Sequence, residues 1–326
     1  MRRREFIAAL GGAAVAWPLP ARAQVSGIYR IGILETVPPD RNKANFGALL
    51  RGLHKHGYIE GQNLQIEYRS ADGHDDRFPA LVADLIGHGV DLIVTRGTPA
   101  AKAAKAATAT TPIVMAAIGE PLGVGVVASL AQPGGNVTGF SAFVTELSGK
   151  RVELLKETFP SITHVGLLQN MGNPVSPPQW EATLAAAKTL GLSAEVLDVR
   201  GDSDIASAFT AMRQRRVNAL SVGIDAVTQA NAATIAKLAA EQKLPTAYPA
   251  REFVEVGGLL SYGVDYPDLY FRAAGLIDKI FKGARPANLP VEQPTKLELV
   301  INLKTAKALG LDMPPTIINR ADEVIE

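Results

Sequence analysis

The 326-residue sequence contains no cysteine, so disulfide bonds and thiol chemistry are excluded. Aromatic residues make up only 6% of the chain, although 47% of its residues are hydrophobic. Stability must therefore come from a packed core of mainly aliphatic side chains. A chain of this length is long enough for two domains of ordinary size.

Sequence motifs of enzymes and metal sites are also missing. The chain has no G-x-S-x-G elbow and no H-E-x-x-H motif, and its scattered carboxylates leave a paired-carboxylate hydrolase unsupported. A G-x-G-x-x-A match at residues 123–128 lies several residues past a predicted strand and is a weak dinucleotide signal. We assign packing or surface roles to the five histidines, which are His54, His56, His74, His88 and His164. We therefore predict no catalytic residue, no metal and no cofactor.

The first 23 residues have the features of an export signal. Three arginines at positions 2–4 precede a short apolar run at residues 7–15, and Ala21 and Ala23 form an Ala-x-Ala exit, which predicts cleavage before Gln24. Paired arginines followed by a polar residue, Phe and Ile are typical of bacterial twin-arginine signals. About ten apolar residues are too few for a membrane anchor, which needs roughly 20. We predict a protein exported to the periplasm.

The charge of the exported chain is nearly balanced. Removing residues 1–23 lowers the tally from 33 basic and 32 acidic residues to 29 and 31, a net charge of about −2. A protein that binds nucleic acid needs excess basic residues to neutralise phosphates. We therefore predict no nucleic-acid partner.

Strand-like and helix-like segments alternate along almost the whole chain, which indicates parallel α/β sheets. Short apolar runs predict ten buried strands, at residues 28–34, 64–68, 91–95, 112–116, 137–140, 165–168, 194–199, 219–222, 246–248 and 258–261. Helix-compatible stretches between them include 42–56, 100–111, 180–190, 204–215 and 226–242. Five strands fill one doubly wound domain, so ten predict two similar lobes. Ligands of such sheets bind at the carboxyl ends of the strands, in this case in a cleft between the lobes.

The loop after the third predicted strand is the first candidate ligand contact. Gly97 allows a tight turn, Thr98 occupies the predicted N-cap, and Pro99 opens an alanine-rich helix. Free N–H groups and the helix dipole make such a terminus a seat for a carboxylate or another anion. The alternative is that Thr98 only caps its own helix.

Several stretches give the chain a family resemblance. They are Asp91-Leu-Ile-Val-Thr-Arg-Gly-Thr-Pro-Ala-Ala, Leu130-Ala-Gln-Pro-Gly-Gly-Asn-Val-Thr-Gly, Gly257-Gly-Leu-Leu-Ser-Tyr-Gly, Leu289-Pro-Val-Glu-Gln-Pro-Thr-Lys and the ending Ala321-Asp-Glu-Val-Ile-Glu. Over essentially the whole exported chain, the sequence resembles the ABC-transporter substrate-binding proteins that include the tryptophan-binding TrpX-type receptors. The resemblance implies a type I periplasmic-binding-protein fold, with two lobes joined by three chain crossings. By that similarity, the N-terminal lobe takes residues 25–143 and 262–286, and the C-terminal lobe takes 144–261 and 287–326.

The resemblance also implies ligand contacts. In amino-acid receptors of this fold, groups after first-lobe strands hold the ligand carboxylate, and Gly97 and Thr98 match that position. An acid of the second lobe commonly holds the ammonium, and Asp225 matches it, although Asp225 is equally compatible with capping the helix at 226–242. The remaining candidates lie at strand ends or crossings, and they are Glu35, Glu120, Phe140, Ser141, Asn170, Tyr248 and Tyr262.

Some of these candidates have alternatives or depart from the family pattern. Glu35 would favour a cationic or hydroxylated ligand, or else it is a solvated loop residue, and Tyr248 is alternatively part of the core. Relatives usually have aspartate in place of Glu120. The tryptophan-binding branch tends to carry Asp-Asn where this chain has Asp225-Ala226.

We expect a receptor that delivers a small amino-acid-like molecule, aromatic or not, to an ABC permease. Receptors of this kind are usually monomers, and we expect one here. Two alternatives stay open: a receptor that presents ligand state to a membrane kinase or chemoreceptor, and an exported enzyme that uses the same cleft.

Overall fold

The computed structural model describes residues 27–326. The predicted export signal at residues 1–23, and its cleavage site before Gln24, lie outside the described residues.

A five-stranded parallel sheet forms the centre of the first lobe, with strand order β2-β1-β3-β4-β5. Its strands are β1 (Tyr29–Glu35), β2 (Leu64–Ser70), β3 (Leu92–Arg96), β4 (Ile113–Ile118) and β5 (Val137–Ser141), and the helices between them are α1 (Lys43–Lys55), α2 (Phe78–Gly87) and α3 (Thr98–Ala107). Every residue of β3, β4 and β5 is buried. Helices that cover both faces of a parallel sheet account for strands that are apolar without alternation.

A seven-stranded sheet forms the centre of the second lobe, with strand order β12-β11-β10-β9-β8-β6-β7. Its strands are β6 (His164–Gln169), β7 (Ser193–Asp198), β8 (Ala219–Val222), β9 (Thr246–Tyr248), β10 (Leu260–Val264), β11 (Leu297–Asn302) and β12 (Glu323–Ile325). The helices from residue 144 onward are α4 (Val144–Thr158), α5 (Ser176–Thr189), α6 (Asp202–Gln214), α7 (Ala226–Ala230), α8 (Ala232–Glu241), α9 (Arg251–Glu255), α10 (Tyr266–Phe281), α11 (Leu303–Leu309) and α12 (Pro315–Ile318). Strands β10 and β11 pair antiparallel.

The chain passes three times between the lobes. It first leaves β5 for α4, and it returns after β10, because α10 packs on α1 and β4 of the first lobe. Residues 291–292 still contact the first lobe, where Glu292 N donates to Gly139 O at 2.9 Å. The third crossing then leads to β11. The predicted boundary at residue 262 falls inside β10, and the one at 287 precedes the third crossing by a few residues; the division into lobes that move as units stays a prediction.

The ten predicted strands are confirmed to within a few residues, and the sequence did not indicate β11 and β12 as strands. The helix predicted at 226–242 is interrupted at Asn231, which separates α7 from α8. The Asn231 side chain donates to Val227 O at 2.9 Å, and such local bonding to the main chain competes with helix continuation. Within residues 27–326, no helix has both the length and the hydrophobicity to span a membrane.

Candidate functional site

A small cavity of about 40 Å³ lies between the two lobes, at the carboxyl ends of strands from both sheets. The first lobe lines it with residues that follow β1, β3, β4 and β5, and the second lobe with residues that follow β6 and β8. The lining residues are Thr36, Arg96, Gly97, Thr98, Pro99, Ala117, Ile118, Gly119, Ala142, Val144, Asn173, Val175, Ile224, Asp225, Ala226, Gln229 and Tyr266. The cleft predicted from the alternating pattern is therefore present.

The amino terminus of α3 forms one wall of this cavity. The N-cap residue is Gly97, with φ +84°, and not Thr98 as predicted, because the chain turns there through a conformation that favours glycine. Thr98 is instead the first helical residue, and its hydroxyl donates to Gly119 O at 3.1 Å. Pro99 has no N–H and Gly97 N donates to Ala117 O at 2.9 Å, so the Thr98 N–H and the positive end of the helix dipole are what this terminus offers at the cavity.

Asp225 forms part of the opposite wall, in the second lobe. It caps α7 as predicted, with its Oδ1 accepting from Val227 N at 2.9 Å. The same carboxylate accepts from Asn170 Nδ2 at 3.2 Å and from Asn173 Nδ2 at 2.8 Å. Burial raises the pKa of Asp225, and these hydrogen bonds oppose the shift. The loop that follows β6 thus holds the Asp225 carboxylate in place.

A buried ion pair joins the lobes beside the cavity. Arg96, at the end of β3, donates from both Nη atoms to the two carboxylate oxygens of Glu252 on α9, each at 2.9 Å. The guanidinium carbon lies 4.4 Å from the centre of the Tyr266 ring. Arg96 is only 2% exposed, so this pair is largely removed from solvent. In this arrangement a bidentate carboxylate and an aromatic face fix the orientation of the planar guanidinium at the cavity wall.

Further contacts hold the lobes together at the same edge. Thr36 Oγ1 of the first lobe donates to Gln229 Oε1 of the second at 2.8 Å, and Arg41 Nη1 donates to Ala230 O at 2.8 Å. Asn45 Nδ2 donates to Glu252 Oε1 at 2.5 Å. The lobes are therefore in contact beside the cavity.

Comparison with known proteins assigns the family. The family model for ABC transporter substrate binding proteins matches residues 30–325. The chain belongs to this family. The fold is that of the type I periplasmic binding proteins, as predicted.

Individual members of the family resemble the chain over most of its length. A tyrosine-binding protein of Clostridioides difficile (strain R20291) is 29% identical over 282 residues, which are 86% of this chain and 81% of that protein. A Streptococcus pneumoniae ABC domain in complex with L-Trp has 33% identity and a TM-score of 0.84, covering 92% of this chain and 100% of that one. An adhesive substrate-binding protein of Clostridium difficile in its ligand-free, open form has 26% identity and a TM-score of 0.65, covering 91% and 99%.

The candidate contacts of this substrate-binding protein divide into two groups. Gly97, Thr98 and Asp225 line the cavity, whereas the other seven candidates are not among its lining residues. Asn170 lies directly behind the cavity wall, where it holds Asp225. Glu120 follows the lining residue Gly119 and adopts φ +49°. A role in ligand contact stays a prediction for each of the ten.

The remaining candidates lie deeper in the lobes or away from the cavity. Glu35 is completely buried beside Arg96, with one carboxylate oxygen accepting from the Tyr270 hydroxyl, so it is not solvated. Phe140 is buried with its ring centre 4.8 Å from the Arg272 guanidinium, and the main-chain N–H of Ser141 pairs with Glu292. Tyr248 belongs to the core, stacked on Phe253 at 5.3 Å. Tyr262 lines a separate surface groove.

Five polar or aromatic lining residues, and the partner of one of them, were not predicted from the sequence; one of the five, Thr36, directly follows β1. Asn173 follows β6 in the same loop as the predicted Asn170, so its position at a strand end was a usable signal. The other lining residues, Arg96, Gln229 and Tyr266, and the partner Glu252 come from four separate elements. No local pattern shows that they meet. Within residues 27–326, no group of three or more potential metal ligands is assembled.

Proposed function

We propose that this protein is the exported receptor of an ABC import system, and that it captures a small amino acid, most favourably an aromatic one, by closure of its lobes. The observation that carries the proposal is the interlobe cavity, which has a helix amino terminus on one wall and a buried carboxylate on the other.

The amino terminus of α3 is suited to a ligand carboxylate. The helix has ten residues, and Gly97, Thr98 and Pro99 line the cavity at its positive end. Unpaired N–H groups of a helix and its dipole favour a bound anion. The Thr98 hydroxyl, which donates to Gly119 O, keeps two lone pairs that can accept from a ligand donor.

Asp225 is suited to a ligand ammonium. A carboxylate has about four acceptor positions, and the hydrogen bonds from Asn170, Asn173 and Val227 occupy three of them. Asp225 lines the cavity, so its carboxylate can also face a ligand donor there. An ammonium there would form a charge-assisted hydrogen bond and would favour the ionised form of Asp225, against the effect of burial.

The rest of the cavity suits an apolar side chain. Its lining includes Ala117, Ile118, Ala142, Val144, Val175 and Ile224. The Tyr266 ring adds an aromatic surface. The cavity of about 40 Å³ is smaller than the roughly 300–1,000 Å³ usual for small-molecule sites, so an amino acid enters only when the lobes move apart. Relatives described as tyrosine-binding or bound to L-Trp support an aromatic amino acid.

Closure is supported by the contacts between lobes and by the comparisons. The chain superimposes better on the L-Trp complex, with a TM-score of 0.84, than on the ligand-free, open relative, with 0.65. A ligand that contacts both walls binds the closed state more tightly and therefore shifts the population toward it. We further propose a periplasmic location after signal cleavage, a monomeric state and delivery to an ABC permease, each supported by the family membership.

A ligand screen with the purified protein tests this proposal. Isothermal titration and thermal shift would compare L-tryptophan, L-tyrosine, L-phenylalanine and L-leucine with tryptamine, which lacks the carboxylate, and indole-3-propionate, which lacks the ammonium. An aromatic amino acid at 100 times its Kd is expected to stabilise the protein by about 2.7 kcal/mol, whereas both analogues bind at least tenfold more weakly.

Two variants make the screen specific to the site. Asp225→Asn is expected to weaken amino-acid binding by tenfold or more, because the amide loses the charge that faces the ammonium. Asp265→Asn is the matched control, since Asp265 also caps a helix, α10, but is not among the residues that line the cavity. No response to any amino acid, or analogues that bind as well as L-tryptophan, would contradict the proposal.

A further inference from the structure

Arg96, which lines the cavity, also belongs to a charge cluster that joins the two lobes. Glu252 lies in the second lobe, whereas Arg96 and Asn45, which donate to it at 2.9 and 2.5 Å, lie in the first. Gln229 of the second lobe donates to it over a longer 3.4 Å. Arg96 also donates to Asn42 Oδ1 at 3.3 Å. The bidentate pair therefore exists only while the lobes are together.

A second carboxyl group lies next to Arg96 within its own lobe. In the pairing of β1 with β3, Leu34 is opposite Thr95, so Glu35 and Arg96 are the next residues along two neighbouring strands. The Glu35 side chain is completely buried. One of its oxygens accepts from Tyr270, and the other has no partner among the described residues. A buried ionised carboxyl with a free oxygen is costly, so Glu35 is a competing partner for Arg96.

We propose that Arg96 exchanges carboxylate partners as the lobes move, pairing with Glu252 across the cleft when it is closed and with Glu35 inside the first lobe when it is open. This inference rests on the lobe closure of the proposed function. The exchange avoids an unpaired buried guanidinium in either state, because one carboxylate replaces the other. In this exchange Glu35 opposes closure, and Glu252 stabilises the closed state.

Proton uptake accompanies the exchange. In the closed structure burial raises the pKa of Glu35 from 4.5 to about 7, because Arg96 opposes the shift only in part while its charge is shared with Glu252. Although burial acts in the other direction, Arg96 holds the pKa of Glu252 below its usual value. When Glu252 withdraws and Arg96 turns to Glu35, the pKa of Glu35 falls. Closing therefore binds a proton at pH values between the two pKa values of Glu35.

The other groups that face Glu35 keep their charge state through this range. Tyr68 on β2 and Tyr266 and Tyr270 on α10 all have pKa values raised by burial, so they stay neutral. Arg96 stays protonated, since its pKa lies well above the usual value despite burial. Glu35 is thus the group in this cluster that titrates near neutral pH. As the pH rises toward about 7, Glu35 loses its proton in the closed state, and the closed state becomes less stable relative to the open state.

Distance measurements on the ligand-free protein test the exchange. The native chain has no cysteine, so Leu122→Cys in the first lobe and Leu184→Cys in the second provide two defined labelling positions. Both leucines are exposed, at 47% and 45%. Paired fluorophores or spin labels at these positions report the ratio of closed to open molecules without requiring any ligand.

The variants are expected to act in opposite directions. Glu252→Gln lowers the closed-to-open ratio by roughly tenfold, because Arg96 then favours Glu35. Glu35→Gln raises the ratio, because the competing carboxylate is gone. The control Glu255→Gln, an exposed position on the same helix, leaves it unchanged. A Glu35→Gln protein that opens, or a Glu252→Gln protein that keeps its native ratio, would overturn the exchange.

A pH series on the labelled protein with Glu35 and Glu252 intact tests the proton step even if Glu35→Gln folds poorly, because a closed-to-open ratio that does not change between pH 5 and pH 7 would overturn it. Between pH 5 and pH 7 the closed-to-open ratio of the labelled native protein is expected to fall by up to about tenfold per pH unit. The pKa of Asp75 is raised to about 7 by burial and next by Asp225. Asp75 therefore adds a pH dependence that the native protein and Glu35→Gln share. The slope should therefore flatten in Glu35→Gln without vanishing. An identical slope in both proteins would overturn the proton step, and amino-acid binding in the ligand screen would still stand.

Discussion

Replacing Asp225 by alanine should destabilise the second lobe through three separate losses. The cap on α7 disappears, and Asn170 and Asn173 each lose the acceptor of an amide hydrogen bond. Loss of a helix cap costs about 1 kcal/mol, and each buried amide left without a partner costs about 1–3 kcal/mol. Part of this loss is offset, because the variant no longer buries a carboxyl group, and burial of that group is unfavourable enough to raise its pKa. We expect a net loss of about 2–5 kcal/mol.

Urea unfolding followed by circular dichroism measures this loss. The native protein, Asp225→Ala and Asp265→Ala are compared at pH 7.5 without ligand. Asp265 caps α10 by accepting from Asp268 N at 2.9 Å and holds no buried amide, so its replacement should cost about 1 kcal/mol. Equal losses in the two variants would refute the reasoning, because the amide contacts of Asn170 and Asn173 would then contribute nothing measurable.

Three further predictions concern the folded framework. Gly139→Ala should lower the free energy of unfolding by at least about 3 kcal/mol, because Gly139 has φ +138° and an added Cβ would lie 2.1 Å from Met115 O. The control in thermal melts is Gly135→Ala, where an added Cβ has no atom within 4 Å. Glu298→Gln should raise the free energy of unfolding by up to about 2 kcal/mol at pH 8 and leave it unchanged at pH 4. Burial raises the folded-state pKa of Glu298 from 4.5 to about 7, so the native protein loses stability as the pH rises through that interval. Equal gains at both pH values in urea titrations would contradict this. Tyr58→Phe should lose about 1 kcal/mol with the hydrogen bond to Asp278 Oδ1 at 3.1 Å, whereas Tyr29→Phe, whose hydroxyl donates over 3.4 Å, should lose less in the same melts.

Local sequence patterns predicted one residue or turn on each of the two walls of the cavity. The turn at Gly97 and the acid at Asp225 lie one and three residues after the ends of buried strands, and parallel strands bring such positions to one edge of a sheet. That geometry made both residues predictable as part of a cleft. The error at Thr98 was a shift of one residue in the helix start, since only the backbone angles show that Gly97 is the cap.

The residues that sequence patterns missed depend on approach between distant elements. Arg96 ends an apolar strand, as any polar residue can, and Glu252 lies on a five-residue helix with no motif around it. Glu35 was considered as a solvated loop residue, whereas α10, more than 200 residues later in the chain, covers it with Tyr270. These contacts arise from the return of the chain to the first lobe and from the closeness of the lobes.

The sequence by itself determined the alternation of strands and helices, the two lobes and the cleft between them, because apolar periodicity and strand-end loops are local properties. Tertiary structure decided which polar groups meet in that cleft. The pairing of Arg96 with Glu252 and the burial of Glu35 depend on desolvation and on distances across the fold. Such energies belong to the assembled lobes, so no single segment of the sequence carries them.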